Sequence, residues 1–292
     1  MELELKRGGR TARVETLGGE LVSYRDERGL EYIWGGDPAY WPGRNPLLFP
    51  IVGTLKEGKI RFDGREYAME RHGFARRREF TPAARGEDWV RLELRESAET
   101  LALYPYPFRL AVEQRLTDTG FSTAVTVANP GEGPLPFCLG AHTGFRCPLE
   151  AGERFEDYEL VFPERESCPT LLLRDGLLDR PAALPYLEDT DTLPLDYRWF
   201  DALDTLIFEG LRSRSVALRS RKSGRGVRVS FDGCPMLAFW TMPGKKAPYL
   251  CIEPWHGCAA GTAEGPEFTD KAHCIVLAPG ESRTLAYRAD TL

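Results

Sequence analysis

Two titratable side chains stand at the ends of apolar, strand-like segments of this 292-residue chain. His142 ends the run LPFCLGA, and Glu253 follows the run YLCI and precedes a proline and a tryptophan. An imidazole can donate or accept a proton near neutral pH, and a carboxylate on an apolar strand end is costly unless it has partners or a function. Each residue also fits a structural role, as a hydrogen-bonded core histidine and as a carboxylate paired with a backbone amide or an arginine. The pattern alone leaves both interpretations open.

Other candidate residues lie beside glycine, proline and aromatic residues. His72 begins the stretch HGFARRR, which contains Arg76, and Arg44 stands alone between a glycine and an apolar run. Arginine can fork onto a carboxylate, a phosphate or a pair of hydroxyls, although a run of arginines is also typical of a solvated face. Trp255 offers a face on which a sugar could stack, or else it packs in the core.

The sequence lacks the signatures of several other chemistries. The seven cysteines include no C-x-x-C pair, and no H-E-x-x-H occurs, which argues against a disulfide scaffold and a zinc site and predicts buried, reduced thiols. No G-x-S-x-G, no P-loop and no G-x-G-x-x-G between a strand and a helix is found. We therefore expect neither a metal nor a cofactor.

The composition is that of an ordinary globular protein, with 42% hydrophobic and 28% charged residues and a formal net charge of −6. This charge argues against nucleic acid and anionic membranes as partners. No apolar stretch approaches the roughly 18 residues that span a bilayer. The charged, alternating start MELELKRGGR is unlike a signal peptide, so we expect a cytoplasmic protein.

The elements that must position the candidate residues are predicted to be strands. More than a dozen short segments with apolar residues on a two-residue period are separated by turn signals, and Asp63-Gly64 predicts a hairpin turn. FTDKAH predicts at most a turn or two of helix, and residues 165–200 a long connection with short strands. We expect an all-β protein, a single domain over residues 1–292 built as one large antiparallel β-sandwich.

Six motifs occur in the order NPLLFPIVG, HGFAR, LGAHTGF, DTLIFEGL, KSGRGVRVSFDG and CIEPWHG. Together they resemble the aldose 1-epimerase (galactose mutarotase-like) superfamily, specifically its LacX-like branch, with the glucose-6-phosphate 1-epimerase branch as the neighbour. The resemblance covers nearly the whole chain. It implies a β-supersandwich with a sugar cleft across one sheet, and interconversion of the α and β anomers of a small sugar.

The resemblance also implies roles for individual residues. The histidine of G-A-H, His142, matches the general acid, and the glutamate of E-P-W, Glu253, matches the general base. The residues that match substrate-contacting groups are Arg44, His72, Arg76 and Asp204, with Asp201 as the alternative to Asp204. A carboxylate base and an imidazolium acid suffice to open and close a hemiacetal, whereas a glycosidase usually needs two carboxylates.

This chain departs from the common family pattern at two motifs. G-A-H-P-A-F is replaced by a stretch with Thr143 and Gly144, and the tyrosine of E-P-W-Y-G is replaced by His256. We expect His256 to alter the charge of the pocket or the pKa of Glu253. Three alternatives to a mutarotase acting on a free hexose remain: a hexose-6-phosphate 1-epimerase, a carbohydrate-binding protein without turnover, and a β-sandwich interaction protein.

Overall fold

A computed structural model describes residues 1–292, which form 22 strands and two short helices. The strands of the first half are β1 (Glu2–Arg7), β2 (Arg10–Glu15), β3 (Glu20–Arg25), β4 (Leu47–Leu48), β5 (Lys59–Phe62), β6 (Arg65–Ala68), β7 (Thr81–Arg85), β8 (Trp89–Arg95), β9 (Arg109–Leu116), β10 (Gly120–Ala128), β11 (Leu135–Phe137), β12 (Leu139–Ala141) and β13 (Thr143–Arg146). Those of the second half are β14 (Tyr158–Arg174), β15 (Leu177–Pro194), β16 (Thr205–Glu209), β17 (Ser215–Ser220), β18 (Gly226–Ser230), β19 (Met236–Trp240), β20 (Tyr249–His256), β21 (Ile275–Leu277) and β22 (Ser282–Thr291). The helices are α1 (Ala98–Leu101) and α2 (Tyr197–Leu203), and neither is long enough to cross a membrane.

Most strands belong to one 15-stranded antiparallel sheet that curls around the core. Its order is β4-β12-β20-β19-β16-β14-β17-β18-β22-β10-β9-β8-β7, with β13 paired to β20 and β15 paired to β14. A three-stranded sheet, β1-β2-β3, and two hairpin-like pairs, β5-β6 and β11-β21, complete the fold. One apolar cluster of 71 buried residues, from Leu3 to Ala289, fills the interior. The prediction of an all-β protein built as a large antiparallel β-sandwich is confirmed.

Local turn chemistry was predicted well. β5 and β6 form the expected hairpin, and its turn residues Asp63 and Gly64 both have positive φ, 50° and 75°. FTDKAH contributes only a single 3-10 turn, Phe268–Asp270. All seven cysteines are free thiols, and only Cys274 is not fully buried.

The prediction for residues 165–200 was wrong. This segment is mostly two long strands, β14 and β15, of 17 and 18 residues, followed by α2. Four register shifts interrupt their pairing, and each shift breaks the two-residue alternation that would have revealed the strands. The tip of this hairpin turns at Asp175 and Gly176 and docks through Leu178, whose backbone N–H donates to the carbonyl of Ala260 at 2.9 Å.

The arginine stretch after His72 contains a 3-10 turn at Ala75–Arg77. This compact turn places the Arg76 side chain beside the backbone of Arg71, whose carbonyl accepts a hydrogen bond from Arg76 Nη2 at 2.8 Å.

Candidate active site

Strand pairing brings His142 and Glu253 together. Glu253 lies inside β20 rather than after its end, which corrects the boundary expected from the sequence. β12 and β13 pair with β20 in one continuous register, Gly140 with Trp255 and Thr143 with Ile252. In that register His142, which separates the two short strands, stands directly opposite Glu253. Directly paired residues on antiparallel strands have neighbouring side chains on one face of the sheet.

The two side chains are in contact and almost completely buried. His142 Nε2 lies 3.3 Å from Glu253 Oε1, and the side chains are 11% and 2% exposed. Three buried polar atoms in this region have no hydrogen-bond partner: His142 Nδ1, Glu253 Oε2 and the indole nitrogen of Trp255. Buried polar groups in proteins normally have partners. Unpartnered donors and acceptors at one point are therefore suited to a ligand rich in hydroxyl groups.

Burial moves the two pKa values in opposite directions. It lowers the pKa of His142 to about 3, with a further contribution from the nearby Arg71 guanidinium. Burial raises the pKa of Glu253 well above its ordinary value, and the same guanidinium and the Trp255 indole oppose part of that rise. Each group is pushed toward its neutral form because a charge without solvent is costly. Both shifts therefore favour Glu253 over His142 as the group that carries a proton which the pair shares.

A cleft of about 230 Å³ opens onto this pair. Five predicted site residues line it: His142, Glu253, His72, Arg76 and Trp255. The other lining residues are Trp41, Pro46, Gly53, Thr54, Arg71, Leu173, Gly176, Thr205, Ile207, Trp240, Met242 and Ala259. Glu253 is the only carboxylate among all of them.

His72 is fixed by the backbone of Gly53. The Gly53 N–H donates to His72 Nδ1 at 3.1 Å, which leaves Nε2 as the protonated nitrogen of the neutral ring, and the His72 N–H donates to the Gly53 carbonyl at 2.9 Å. His72 has a φ of 67°, a left-handed conformation that side chains rarely adopt. Its ring meets that of His142 edge to face, with centroids 5.6 Å apart. Burial holds the pKa of His72 well below its ordinary value, so it faces the cleft as a neutral donor.

Two predicted residues lie outside the cleft lining. The Arg44 guanidinium donates to the carbonyl of Gly35 at 3.1 Å and contacts Glu15 at 3.4 Å, so it braces a loop instead of facing the pair. Asp204 follows α2 and accepts a hydrogen bond from the Thr205 hydroxyl at 2.7 Å. The alternative, Asp201, accepts from the backbone N–H of Gly244 at 2.7 Å. Neither aspartate lines the cleft, although Asp204 is near enough for its charge to raise the pKa of Glu253.

Sequence reasoning missed three prominent lining residues. Arg71 directly precedes the HGFAR motif and belongs to none of the six motifs. Trp41 stacks on the imidazole of His142, with ring centroids 4.8 Å apart and 31° between the planes. The Trp240 ring meets the same imidazole edge to face, with 76° between the ring planes and 5.6 Å between the ring centroids. Nothing in their spacing indicates that these tryptophans converge on one histidine, because they come from a loop and from β19.

Gly144 permits the contact between Trp41 and His142. A β-carbon at this position would lie 3.0 Å from the Trp41 ring, 3.1 Å from the Arg44 carbonyl and 3.1 Å from Cβ of Trp34. The Gly144 N–H also donates to that Arg44 carbonyl at 2.7 Å, so the loop cannot easily retreat. The glycine at position 144, where the common pattern G-A-H-P-A-F has its second alanine, is therefore explained by the close approach of the loop that carries Trp41.

We expect Gly144→Ala to displace Trp41 from His142. The variant should lose about 1–3 kcal/mol of stability, as overpacked interiors do, and the fluorescence maximum should shift as the Trp41 indole moves. Gly133→Ala is the control for the mere addition of a methyl group, because a β-carbon there has no atom within 4 Å and the residue does not have a positive φ. Wild-type fluorescence and melting temperature in Gly144→Ala would show that the site tolerates the methyl group.

His256 does not enter the cleft. Alternation along β20 puts it on the face opposite Glu253, and its Nδ1 lies 3.0 Å from the backbone carbonyl of His273. The expectation that His256 changes the charge around Glu253 is not supported by this placement, since burial, Arg71, Trp255 and Asp204 are the main influences on the pKa of Glu253.

One set of residues could reach a common metal ion. The donor atoms of His142, Cys251 and Glu253 all lie within 4.8 Å of one another. Two of these residues already contact each other directly at 3.3 Å, and Cys251 does not line the cleft. Burial raises the pKa of the Cys251 thiol well above its ordinary range, which favours the protonated thiol over the thiolate that a metal requires.

The antiparallel sandwich and its walled cleft define a galactose mutarotase-like β-sandwich protein. A structure of a galactose mutarotase related enzyme from Lactobacillus acidophilus superimposes with a TM-score of 0.95 at 27% identity, covering 100% of this chain and 97% of the other. The structure of a galactose mutarotase-like protein from Lactobacillus casei superimposes with a TM-score of 0.94 at 26% identity, covering 100% of both chains. Protein LacX from Lactococcus lactis subsp. lactis is 40% identical over 98% of each chain.

The aldose 1-epimerase family model matches residues 1–289. The chain belongs to the aldose 1-epimerase family. Membership supports a carbohydrate epimerase acting on a small sugar, at the level of the family. The resemblance to the LacX-like branch drawn from the six motifs is confirmed by the relatives at 40% identity.

Proposed function

We propose that this protein is an aldose 1-epimerase that interconverts the α and β anomers of a hexose, with Glu253 as the general base and His142 as the general acid. The observation that carries the proposal is the 3.3 Å contact between His142 Nε2 and Glu253 Oε1 at the floor of the cleft. Two proton-transfer groups on one face of a sheet can reach two oxygens of one ring carbon, the O1 hydroxyl and the ring oxygen of a sugar.

The reaction consists of two coupled proton transfers. Glu253 takes the proton from the O1 hydroxyl while a carbonyl forms between C1 and O1, and the bond from C1 to the ring oxygen breaks as His142 protonates that oxygen. Rotation about C1–C2 presents the other face of the aldehyde, and the same two groups run in reverse. The reaction starts when a proton that the pair shares is on His142 and Glu253 is a carboxylate. Each turnover returns the pair to its starting state.

The walls of the cleft suit a monosaccharide. Trp41, Trp240 and Trp255 supply aromatic surface for the apolar faces of a sugar ring, while His72 and Arg76 supply donors for its hydroxyls. The volume of about 230 Å³ lies below the roughly 300–1,000 Å³ of pockets that take drug-sized ligands. A glycosidase usually needs two carboxylates flanking the scissile bond, and this cleft presents one.

The test is anomerisation of pure α-glucose and α-galactose followed by proton NMR or polarimetry. We expect the protein to accelerate equilibration of at least one of them above the spontaneous rate. Saturable binding of these sugars without acceleration would replace the epimerase with a non-catalytic carbohydrate-binding protein. Neither binding nor acceleration, with no sugar-dependent rise in melting temperature, would favour an interaction protein.

A specific observation favours a second candidate, a hexose-6-phosphate 1-epimerase. Arg71 and Arg76 both line the cleft, and neither guanidinium forms an ion pair with a carboxylate of the chain. Arg76 Nε is buried without a partner. Two guanidinium groups that line a cleft and have no carboxylate partner are well suited to the dianionic oxygens of a phosphate ester.

If the protein is a hexose-6-phosphate 1-epimerase, we expect a substitution in the arginine pair to change its selectivity between glucose 6-phosphate and glucose. Arg71→Gln should reduce kcat/KM for glucose 6-phosphate by at least about tenfold more than for glucose, because one charge-assisted contact to phosphate is lost. The matched control is Arg77→Gln, since Arg77 pairs with Glu70 on the surface. Equal effects of Arg71→Gln on both sugars would assign the arginine to the shared part of the substrate instead.

A further inference from the structure

The hydroxyl of Thr143 belongs to a buried polar cluster on the far side of the sheet from the cleft. Thr143 Oγ1 donates to Asn45 Oδ1 at 2.7 Å and lies 3.0 Å from the Tyr287 hydroxyl, which in turn donates to the same Asn45 oxygen at 3.1 Å. Thr143 is fully buried, and Asn45 and Tyr287 are both 6% exposed. The proposed reaction uses none of these three side chains.

The cluster is attached next to the break between two short strands. β12 ends at Ala141 and β13 begins at Thr143, so His142 itself belongs to neither strand. The register places Glu253 opposite His142 and Pro254, which has no N–H to offer, opposite Ala141. Thr143 is the first residue after His142 that belongs to a strand. Its side chain is held in addition by a hydrogen bond to Asn45 on the face of the sheet opposite the cleft.

The same hydroxyl connects His142 to the loop that carries its stacking partner. Asn45 follows that loop, and its backbone N–H donates a hydrogen bond to Glu20 Oε1 at 2.6 Å. This bond fixes the position of the Asn45 peptide group. Its side-chain nitrogen also donates to the Leu21 carbonyl, at 3.4 Å. The Thr143–Asn45 bond, together with the backbone bond from Gly144 to the Arg44 carbonyl, thus ties β13 to the segment bearing Trp41, whose ring lies against the His142 imidazole.

Tyr287 connects this cluster to a distant strand. It lies on β22, which pairs with β10 and β18 and does not touch β20 in the sheet order. Its hydroxyl gives Asn45 a second donor, so the Asn45 carbonyl oxygen accepts two hydrogen bonds. A fully satisfied buried polar network of this kind imposes one arrangement on the groups that it joins.

We propose that Thr143 is a positioning residue: its hydroxyl, held by Asn45 and Tyr287, fixes the imidazole of His142 against Glu253 and Trp41. The effect on turnover rests on the proposed epimerase function, whereas the effect on the imidazole does not.

The decisive substitution is Thr143→Val, which keeps the shape and removes the hydroxyl. We expect kcat for anomerisation to fall about 10- to 100-fold, as small misplacements of a catalytic group do, while KM stays within about twofold because no cleft residue is changed. Thr143→Ser, which restores the hydroxyl, should recover kcat to within about threefold of the wild type.

Thr241→Val is the matched control. The Thr241 hydroxyl is equally buried but has no hydrogen-bond partner, and the residue does not line the cleft. We expect its kcat and KM to be those of the wild type. If Thr143→Val fails to fold, Tyr287→Phe removes one arm of the cluster and leaves the threonine bond, and it should lower kcat in the same direction.

A second readout separates positioning from activity. With only four histidines in the chain, the ring signals of His142 can be assigned by substitution in NMR spectra of histidine-labelled protein at one fixed pH. Thr143→Val should shift or broaden the His142 signals and leave those of His256 and His273 in place. If the wild type has no epimerase activity, the proposed function fails and these spectra alone decide the positioning role. Unchanged His142 signals, or an unchanged kcat in folded Thr143→Val, would overturn it.

Discussion

Replacing Glu253 with glutamine is expected to remove about 10²–10⁴-fold of the anomerisation rate, the usual contribution of a general base. Glutamine has nearly the same shape and retains the contact to His142, but an amide cannot accept the proton of the O1 hydroxyl. No other carboxylate lines the cleft to replace it. The measurement is the rate at which a pure α anomer reaches equilibrium, followed by NMR at saturating sugar.

Stability provides the control for this substitution. Burial raises the pKa of Glu253 well above the 4.5 of an ordinary glutamate. The folded protein therefore holds this proton more tightly than the unfolded chain, and the stability of the wild type falls as the pH rises from the ordinary value through the raised one. Glutamine does not titrate. We expect the melting temperature of Glu253→Gln to exceed that of the wild type by a margin that grows between about pH 5 and pH 8.

Two outcomes would count against the assignment of Glu253. A rate equal to that of the wild type would mean that another group accepts the proton. A margin in melting temperature that narrows with rising pH would mean that Glu253 is already ionised in the folded protein, contrary to the effect of its burial.

Replacing His142 with glutamine is expected to cause a loss of similar size, about 10²–10⁴-fold in kcat. The variant can still donate a hydrogen bond, but it cannot deliver a proton to the ring oxygen and regain it. His72 cannot take over, because the Gly53 N–H occupies its Nδ1 and so prevents the ring from taking up a second proton to pass on. The same NMR assay measures the effect.

His256→Gln is the matched control for this second substitution. It changes a histidine on the same stretch of sheet that faces away from the cleft, and it should leave kcat within about threefold of the wild type. The variant with both His142→Gln and Glu253→Gln should be only slightly slower than either single variant, because groups that act as one unit do not contribute additively. A product of the two single losses would show that they act independently.

The two residues proposed as the acid–base pair could be singled out from the sequence because their motifs are local, although the pattern alone left a structural role open for each. His142 and Glu253 each sit in a short motif at the end of an apolar run, and the class of fold follows from strand periodicity and turn residues. The register that makes them direct partners is a property of three strands, and no single segment contains it. Each strand can be predicted from its own residues, whereas the pairing register between the strands depends on the whole sheet.

The remaining site residues show where local evidence ends. Arg44 and Asp204 match motifs, yet nearby partners, Gly35 with Glu15 and Thr205, hold their side chains away from the cleft lining. Trp41 and Trp240 lie about 200 residues apart in the chain and converge on one imidazole only after folding. The direction of a side chain depends on contacts made by distant segments, which spacing along the sequence does not contain.

The long hairpin of β14 and β15 supplies one side of the cleft, through Leu173 and Gly176. It is secured at its tip by backbone hydrogen bonds between Leu178 and residues 260 and 262, which do not depend on the identity of the tip side chains. Substitutions at the tip can therefore change the shape offered to a ligand without disturbing the register that aligns the proton-transfer groups. The part of the cleft wall that the hairpin supplies and the strands that carry His142 and Glu253 therefore lie in separate stretches of the chain.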